Sequence, residues 1–409
     1  MGAAGLTSAF AGATKALASV KDIAGSSEDS TQTKEQKAKF PQVPRRKLGK
    51  TGIDVPCLSF GMLAVDAENQ ILLRNTLQWG VNYWDTASSY SGGNSELGIG
   101  KFLSKNPDVR KKLFLVTKAS GARTVAHVEE RLATSLKRMN TDYIDLYYVP
   151  HGADDPAQFT DELKQWAESA KKRKLIRFFG FSTHSNMAKC LAAAAKLGWI
   201  DALMTRYSFR DVQNAEMQAA IDACHKAKIG LVAMKTIGRA SRRSGGEGTE
   251  ADAGKKLREQ LLERGFTQEQ AAIKLVLQDE RISSACVGML TTAIVTANVA
   301  AVLDKTELTE ADRQVFKEYA QATCSSYCAG CTHVCKSAVP DVPCVSDIMR
   351  YLMYYNSYGD RVAAREMFAQ IPATIRGRLL SANYGLAESQ CPQHLPIAKL
   401  ISEAVSKLA

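Results

Sequence analysis

KLFLVTKASGARTVAHVEERLATSLKRMNTDYIDLYYVPH, residues 112–151, contains an apolar run, an amphipathic stretch and a second apolar run. The runs KLFLVTKA (112–119) and YIDLYYVPH (143–151) are nearly continuous in hydrophobicity, as strands buried on both faces are. The stretch 123–139 between them has a helical pattern. A strand, a helix and a second buried strand form a parallel pair with a right-handed crossover.

The same alternation extends on both sides. Upstream are CLSFGM (57–62) and VNYWDTA (81–87); downstream are FFGFST (178–183), DALMTRYS (201–208), GLVAMKT (230–236) and ACVGML (285–290). Helical patterns over 68–79, 159–174, 186–197, 211–227, 251–279 and 291–303 separate them. Eight strands with intervening helices predict a closed (β/α)8 TIM barrel of α/β class, an architecture that uses about 250 residues. No Gly-rich dinucleotide fingerprint follows the first strand, which argues against an open doubly wound sheet but not against a nicotinamide enzyme.

The chain is longer than the barrel needs, at 409 residues. Three parts are expected: a leader and linker over 1–43, the barrel over 44–305, and a helical Cys-rich domain over 306–409. Residues 1–20, MGAAGLTSAFAGATKALASV, look like the apolar region and cleavage site of an export signal without its charged start. A twin-arginine signal lacking its leading Arg-Arg reads this way, which makes a periplasmic location the expectation and a cytoplasmic one the alternative. No apolar run approaches 18 residues, so no membrane span is expected. The net charge of +11 comes from scattered Lys and Arg, including 171–174 and 242–243. A basic stripe with interleaved aromatics is missing, so nucleic acid is not an expected partner. A basic rim suits an anionic cofactor or substrate better.

In such barrels the catalytic groups sit at the C-terminal strand ends. That rule selects Asp85 and the following Tyr90 on the second strand, Lys118 on the third and His151 on the fourth. A free tyrosine, with a pKa of about 10, is a poor acid or base near neutrality. A neighbouring Lys ammonium is expected to lower that value, and a carboxylate to hold the Lys in place. A neutral His can orient a carbonyl oxygen while Tyr delivers a proton and hydride reaches the carbon. No metal is required for that step.

WDTASSYSGGNSELGIG (84–100), VTK (116–118) and DYIDLYYVPH (142–151), with the opening RRKLGKTGIDVPCLSFGM (45–62), resemble the aldo-keto reductase family over most of 45–300. The resemblance implies carbonyl–alcohol interconversion, with Tyr90 as general acid assisted by Lys118 and Asp85, and with His151 positioning the carbonyl. It also implies an extended NADP or NAD held by Gly61, Met62, Asp85, Ser182, Lys235, Gly288 and Asn298. Several family positions are changed here: Thr183 replaces an Asn, Met204 a Gln, Met234 an aromatic and Leu290 a basic residue, while Ala297 stands where an acid is usual. The missing basic residue leaves NAD and NADP both open, because a ribose phosphate favours Arg-type donors.

Six of the ten cysteines follow residue 320. The run C-SSY-C-AG-C-THV-C places Cys324, Cys328, Cys331 and Cys335 close to an iron–sulfur spacing, and SQCPQHLPIAKL (389–400) adds Cys391. The tail resembles the ferredoxin-like extension of a subset of the family, with most of its second cysteine run replaced. One [4Fe–4S] cluster is the expectation, held by Cys391 with Cys324, Cys328 and Cys331, or with Cys328, Cys331 and Cys335. Zinc, and cysteines with no metal, are the alternatives. Amphipathic helices are expected over 345–356 and 360–369.

The leading function is an oxidoreductase acting on a small carbonyl or alcohol, a sugar being one candidate. A cofactor-binding sensor is the second reading, on the strength of the changed cofactor positions. An electron-transfer protein using the tail is the third.

Overall fold

The computed structural model describes residues 40–63, 65–238, 249–358 and 361–409. The expected leader, most of the linker and the Arg242-Arg243 pair lie outside them.

Two short strands, β1 (Arg45–Lys47) and β2 (Asp54–Pro56), pair antiparallel as a hairpin. Eight strands then close a parallel barrel: β3 (Leu58–Gly61), β4 (Tyr83–Asp85), β5 (Phe114–Lys118), β6 (Ile144–His151), β7 (Ile176–Thr183), β8 (Ala202–Arg206), β9 (Gly230–Met234) and β10 (Ser284–Gly288). Each falls on one of the eight apolar runs. Closure is made by β10, which pairs with β3 on one side and β9 on the other.

Period-two alternation sorts the strand residues into two layers. Tyr83, Phe114, Val116, Leu146, Tyr148, Met204 and Val232 fill the lumen. Trp84, Leu115, Tyr147, Phe179 and Phe181 face the surrounding helices. The hairpin closes the lower end, where fully buried Leu48 joins the lumen cluster. Arg46 ties the hairpin to the barrel by donating to the carbonyls of Leu277 at 2.6 Å and Ile282 at 2.8 Å.

The helices keep to the expected stretches, apart from the one at Asn94–Lys105, which none of those stretches covers. α1 (Gln70–Gln78), α2 (Asn94–Lys105), α3 (Val125–Met139), α4 (Asp161–Lys172), α5 (Met187–Ala194) and α6 (Ala215–Lys226) surround the first six barrel strands. The single long helix expected over 251–279 is two helices, α7 (Thr249–Glu263) and α8 (Gln268–Leu277). Gly265, at φ +80°, breaks the run, and Thr267 starts α8 with a reciprocal Thr267–Gln270 capping box. α9 (Thr292–Leu303) and α10 (Glu310–Ala322) follow.

The tail adds α11 (Thr332–Ala338), α12 (Val345–Met353), α13 (Arg361–Ala369), α14 (Ala373–Arg376), α15 (Gly385–Gln390) and α16 (Ile397–Leu408). α12 runs into a π turn, Tyr354–Tyr358. The tail has its own apolar core, including Ile348, Leu352, Phe368, Leu379 and Ile401, each burial contributing roughly 1.5–3 kcal/mol. It is docked on the C-terminal mouth of the barrel. Arg206 Nη1 donates to the Cys328 carbonyl at 3.0 Å, Asn186 N to the Gly330 carbonyl at 2.9 Å, and Lys336 pairs with Asp154 at 2.7 Å. No helix among the described residues is long and apolar enough to cross a membrane.

Candidate active site

Strand parity brings the first two site residues together. Asp85 is two residues beyond lumen-facing Tyr83, and Lys118 is two beyond lumen-facing Val116. Both reach the top of the lumen, where Lys118 Nζ lies 2.5 Å from Asp85 Oδ1 and donates to the Thr86 carbonyl at 2.7 Å. Their side chains are 1% and 4% exposed, so this pair is fully enclosed. Burial raises the Asp85 carboxyl above its ordinary range, and the Lys118 ammonium partly offsets that.

Tyr90 is carried on a tight turn after β4. Ser91, Gly92 and Gly93 take positive φ values of 49°, 64° and 96° in succession. A Cβ on Gly93 would lie 2.6 Å from the Arg138 guanidinium, so this position is closed to side chains. Arg138 braces the turn by donating to the Ser88 carbonyl at 2.9 Å and pairing with buried Glu96 at 3.2 Å. The Tyr90 ring centroid is 4.9 Å from Lys118 Nζ and 5.9 Å from the His151 ring, which it meets edge-on.

The expected lowering of the Tyr90 pKa by Lys118 is not what the structure shows. Burial, and then the nearby Asp85 carboxylate, push the phenol well above its usual 10, while Arg350 opposes them. The Lys118 ammonium is already engaged by Asp85 and Thr86. Tyr90 is therefore protonated at neutral pH, the state a proton donor requires.

His151 reaches the same cavity through an irregularity. The β6–β7 register shifts between Tyr148 and His151. Burial, and then Lys118, Arg350 and Lys235, hold the imidazole pKa well below its ordinary value, so it is neutral. Its Nδ1 lies 2.8 Å from Ser120 Oγ, and Ser120 Oγ in turn accepts from Ser89 Oγ at 2.8 Å. Ser120 keeps its own O–H while accepting from Ser89, and in the tautomer that receives this O–H, Nδ1 is the acceptor. The imidazole proton is then on Nε2, available to a carbonyl oxygen. Ser120→Ala should lower kcat/KM by about tenfold, with recovery in Ser120→Thr, as loss of a neutral orienting hydrogen bond implies. A change of less than about twofold in steady-state assays would remove Ser120 from this role.

Tyr90, Lys118, His151 and Ser182 line one cavity of about 300 Å³, whose opposite wall is the tail, including Asp347, Arg350, Tyr351 and Tyr354. Sequence reasoning missed Ser89, Ser120, His184 and Arg350. Arg350 carries no motif, and a serine beside a strand end is indistinguishable from any polar turn residue.

The expected cofactor positions are distributed as follows. Ser182 Oγ is buried and accepts from Gly152 N at 3.2 Å. Met62 is buried in the apolar layer, with its N donating to the Asp85 carbonyl at 2.9 Å. Gly61 allows close packing against β10, where a Cβ would sit 3.3 Å from Cys286 Sγ. Gly288 is exposed at the strand end, and Lys235 has a positive φ of 57° at the end of β9. Buried Asp85 Oδ2, Thr236 Oγ1 and Asn298 Nδ2 have no hydrogen-bond partner among the described residues. Buried polar atoms without partners are costly, and here they lie on the strand ends and helix that border the mouth. These residues fit a polar cofactor. Thr183 does not replace the amide it stands for, because its hydroxyl donates to the Ala153 and Ser185 carbonyls.

The tail cysteines do not converge. Cys328, Cys331, Cys335 and Cys391 influence one another electrostatically, but no three His, Cys, Asp or Glu side chains among the described residues are gathered to hold a metal ion. Burial pushes the Cys328 thiol up to about 11 and that of Cys335 up to about 12. Cys335 and Cys391 belong to the tail core, with Cys328 packed against it, while Cys324 opens a short turn nearer the barrel. As they stand, Cys335 and Cys391 are packing residues of the tail core with Cys328 against it, and the described side chains are not gathered as an iron–sulfur or zinc centre.

A family model described as the aldo/keto reductase family matches residues 61–318. The chain is 29% identical over 220 residues to the aldo-keto reductase yakc [NADP(+)] of Schizosaccharomyces pombe, covering 48% of this chain and 62% of that protein. It is 32% identical over 187 residues to the aldo-keto reductase str7 of Strobilurus tenacellus, covering 44% and 53%. The match thus spans less than two thirds of either relative. Among solved structures, the holo form of the aldo-keto reductase AKR11C1 from Bacillus halodurans superposes with a TM-score of 0.57 at 26% identity, over 69% of this chain and 97% of that one.

Proposed function

The chain belongs to the aldo/keto reductase family, and from that premise we propose that it transfers hydride between a nicotinamide dinucleotide and a small carbonyl or alcohol, with Tyr90 as proton donor and acceptor. The observation that carries this reading is the single cavity in which Tyr90, Lys118 and His151 meet, with Asp85 on the far side of Lys118. The cofactor supplies or receives the hydride when bound. Ser182, Lys235, Thr236, Gly288 and Asn298 are the residues proposed to hold it.

In the reducing direction His151 Nε2–H donates to the carbonyl oxygen and fixes its position. Protonated Tyr90 passes its proton to that oxygen as charge develops on it. Lys118 is held by Asp85 with its Nζ 4.9 Å from the Tyr90 ring centroid, and Arg350 favours the negative charge left on the phenolate. The tail walls one side of the cavity, and the lower local dielectric this gives strengthens each of these interactions. The name of the Schizosaccharomyces pombe relative includes NADP(+), which favours the phosphorylated cofactor here, while Leu290 in place of a basic residue favours NAD.

The test is reduced NADP or NAD with a panel of aldehydes, ketones and keto-sugars, followed by loss of reduced-nicotinamide absorbance. Turnover is expected. Tight cofactor binding with no turnover of any substrate would instead favour the sensor reading, which the changes at Thr183, Met204, Met234 and Leu290 support.

For the tail the reading is a lid whose cysteines pack its core. The spacing C-SSY-C-AG-C-THV-C supports the alternative of a cluster. Iron and sulfide analysis of anaerobically purified protein separates the two: no bound iron is expected, and about four irons per chain would establish the cluster. Export by a twin-arginine route is proposed from residues 1–20 alone, and cell fractionation tests it.

A further inference from the structure

His184 after β7, Arg206 at the end of β8, Lys235 after β9 and Arg350 from α12 line a recess of about 40 Å³. The recess shares His184, Ser185 and Arg350 with the cavity that holds Tyr90 and His151. Two of these cations have counterions. Arg206 pairs with Asp211 at 3.0 Å, and Arg350 Nη1 with Asp347 at 2.9 Å. Lys235 makes no ion pair among the described residues, and its Nζ lies 4.8 Å from the centroid of the Tyr354 ring. His184 is neutral, because burial, then Arg350 and Lys235, hold its pKa well below the usual value. Among the described residues, Lys235 is thus the member of this basic group left without an acid partner. The acids Asp154, already paired with Lys336, and exposed Glu366 line other parts of the larger cavity.

The guanidinium is arranged to receive an anion. Arg350 bonds to Asp347 and to His184 Nδ1, the latter at 3.1 Å, and both contacts use Nη1. The Tyr351 phenol is within hydrogen-bonding reach of the same guanidinium, and an entering carboxylate or phosphate would displace that neutral partner and take two parallel charge-assisted bonds. Arg350 is also close enough to act electrostatically on both Tyr90 and His151. An anion bound there would lie beside the reacting carbonyl.

We propose that the substrate of this site carries a carboxylate or phosphate near its carbonyl, and that Arg350, brought from the tail, reads it. The proposal rests on the hydride-transfer reading and adds the substrate's chemical class to it. Burial, then the repulsion of Arg350 and Arg206, lowers the Lys235 pKa well below its ordinary value, and an arriving anion relieves that repulsion.

The experiment uses the full chain with saturating reduced cofactor and compares short ω-oxo carboxylates with their methyl esters. The acid should be preferred by roughly 10- to 100-fold in kcat/KM, the range expected for a charge-assisted contact. In Arg350→Gln the acid-to-ester ratio should fall to about one, mainly through KM, and Arg350→Lys should restore part of it. A wild-type ratio at or below one overturns the proposal. So does an Arg350→Gln variant that lowers acid and ester equally, or one that weakens reduced-cofactor binding by the same factor, since the anion read would then be the cofactor's phosphate. If Arg350→Gln does not fold, the wild-type and Arg350→Lys ratios decide. If neutral aldehydes turn over with no preference for acids, this inference fails while hydride transfer stands. If no carbonyl turns over, calorimetry with short alkanoates and their methyl esters still reads the site: tighter binding of the acid supports it, and equal binding overturns it.

Discussion

Tyr90→Phe should lower kcat for carbonyl reduction by about two to four orders of magnitude, the contribution typical of a positioned general acid. The substitution removes one oxygen and leaves the ring, which packs edge-on to His151 at 5.9 Å and lies 4.9 Å from Lys118 Nζ. The turn that carries it is braced by Arg138 and Glu96, neither of which touches the phenol oxygen in the contacts that hold the turn. Fold and cofactor affinity should therefore survive, and the loss should appear in kcat rather than in binding. Single-turnover measurement with bound reduced cofactor isolates the chemical step. Turnover within about threefold of wild type would assign the proton transfer to another group, because no general acid of this kind contributes so little.

Asp145→Ala should have the largest effect on stability, about 3–5 kcal/mol, by leaving buried charge unpaired. The Asp145 side chain is fully buried, and Oδ2 accepts from Leu115 N at 2.9 Å and faces Arg110 Nη1 at 2.8 Å. Oδ1 pairs with Arg177. Arg110 is only 10% exposed and also donates to Thr141 Oγ1 and the Tyr143 carbonyl, so it cannot leave for water without breaking those bonds. Asp145→Asn should cost less, since the amide oxygen can still accept from Leu115. Urea unfolding measures both. A cost below about 1 kcal/mol for the alanine variant would show that Arg110 finds water or another partner. The residue lies near the N-terminal end of β6 while His151 ends the strand, so kcat per folded molecule should be unchanged.

Local pattern accounts for much of the barrel. Each of the eight apolar runs is a strand because its residues are buried in the lumen on one face and under helices on the other, and continuous hydrophobicity is what that double burial leaves in the sequence. The split of 251–279 leaves no mark in the pattern because the helical period is maintained on both sides of Gly265, whose positive φ ends α7. The electrostatics of Tyr90 were misjudged for a different reason. Residue types show that a Lys is available to lower a tyrosine pKa, but not that its ammonium is directed at Asp85 and the Thr86 carbonyl. The cysteine spacing likewise shows which thiols are near in the chain, while their packing into the tail core depends on how α11, α12, α15 and α16 fold together.

By itself the sequence determined the eight strands, the strand-end placement of Asp85, Lys118 and His151, and the residues that mark the family, because these follow from continuous apolar runs and where they end. The tertiary structure alone decided the rest of the site. The register shift precedes His151 at the cavity, the Ser89–Ser120 pair meets its Nδ1, and docking of the tail brings Arg350 across the mouth. Convergence of segments distant in the chain on one point depends on barrel closure and tail docking, and neither leaves a periodicity in the residues that meet there.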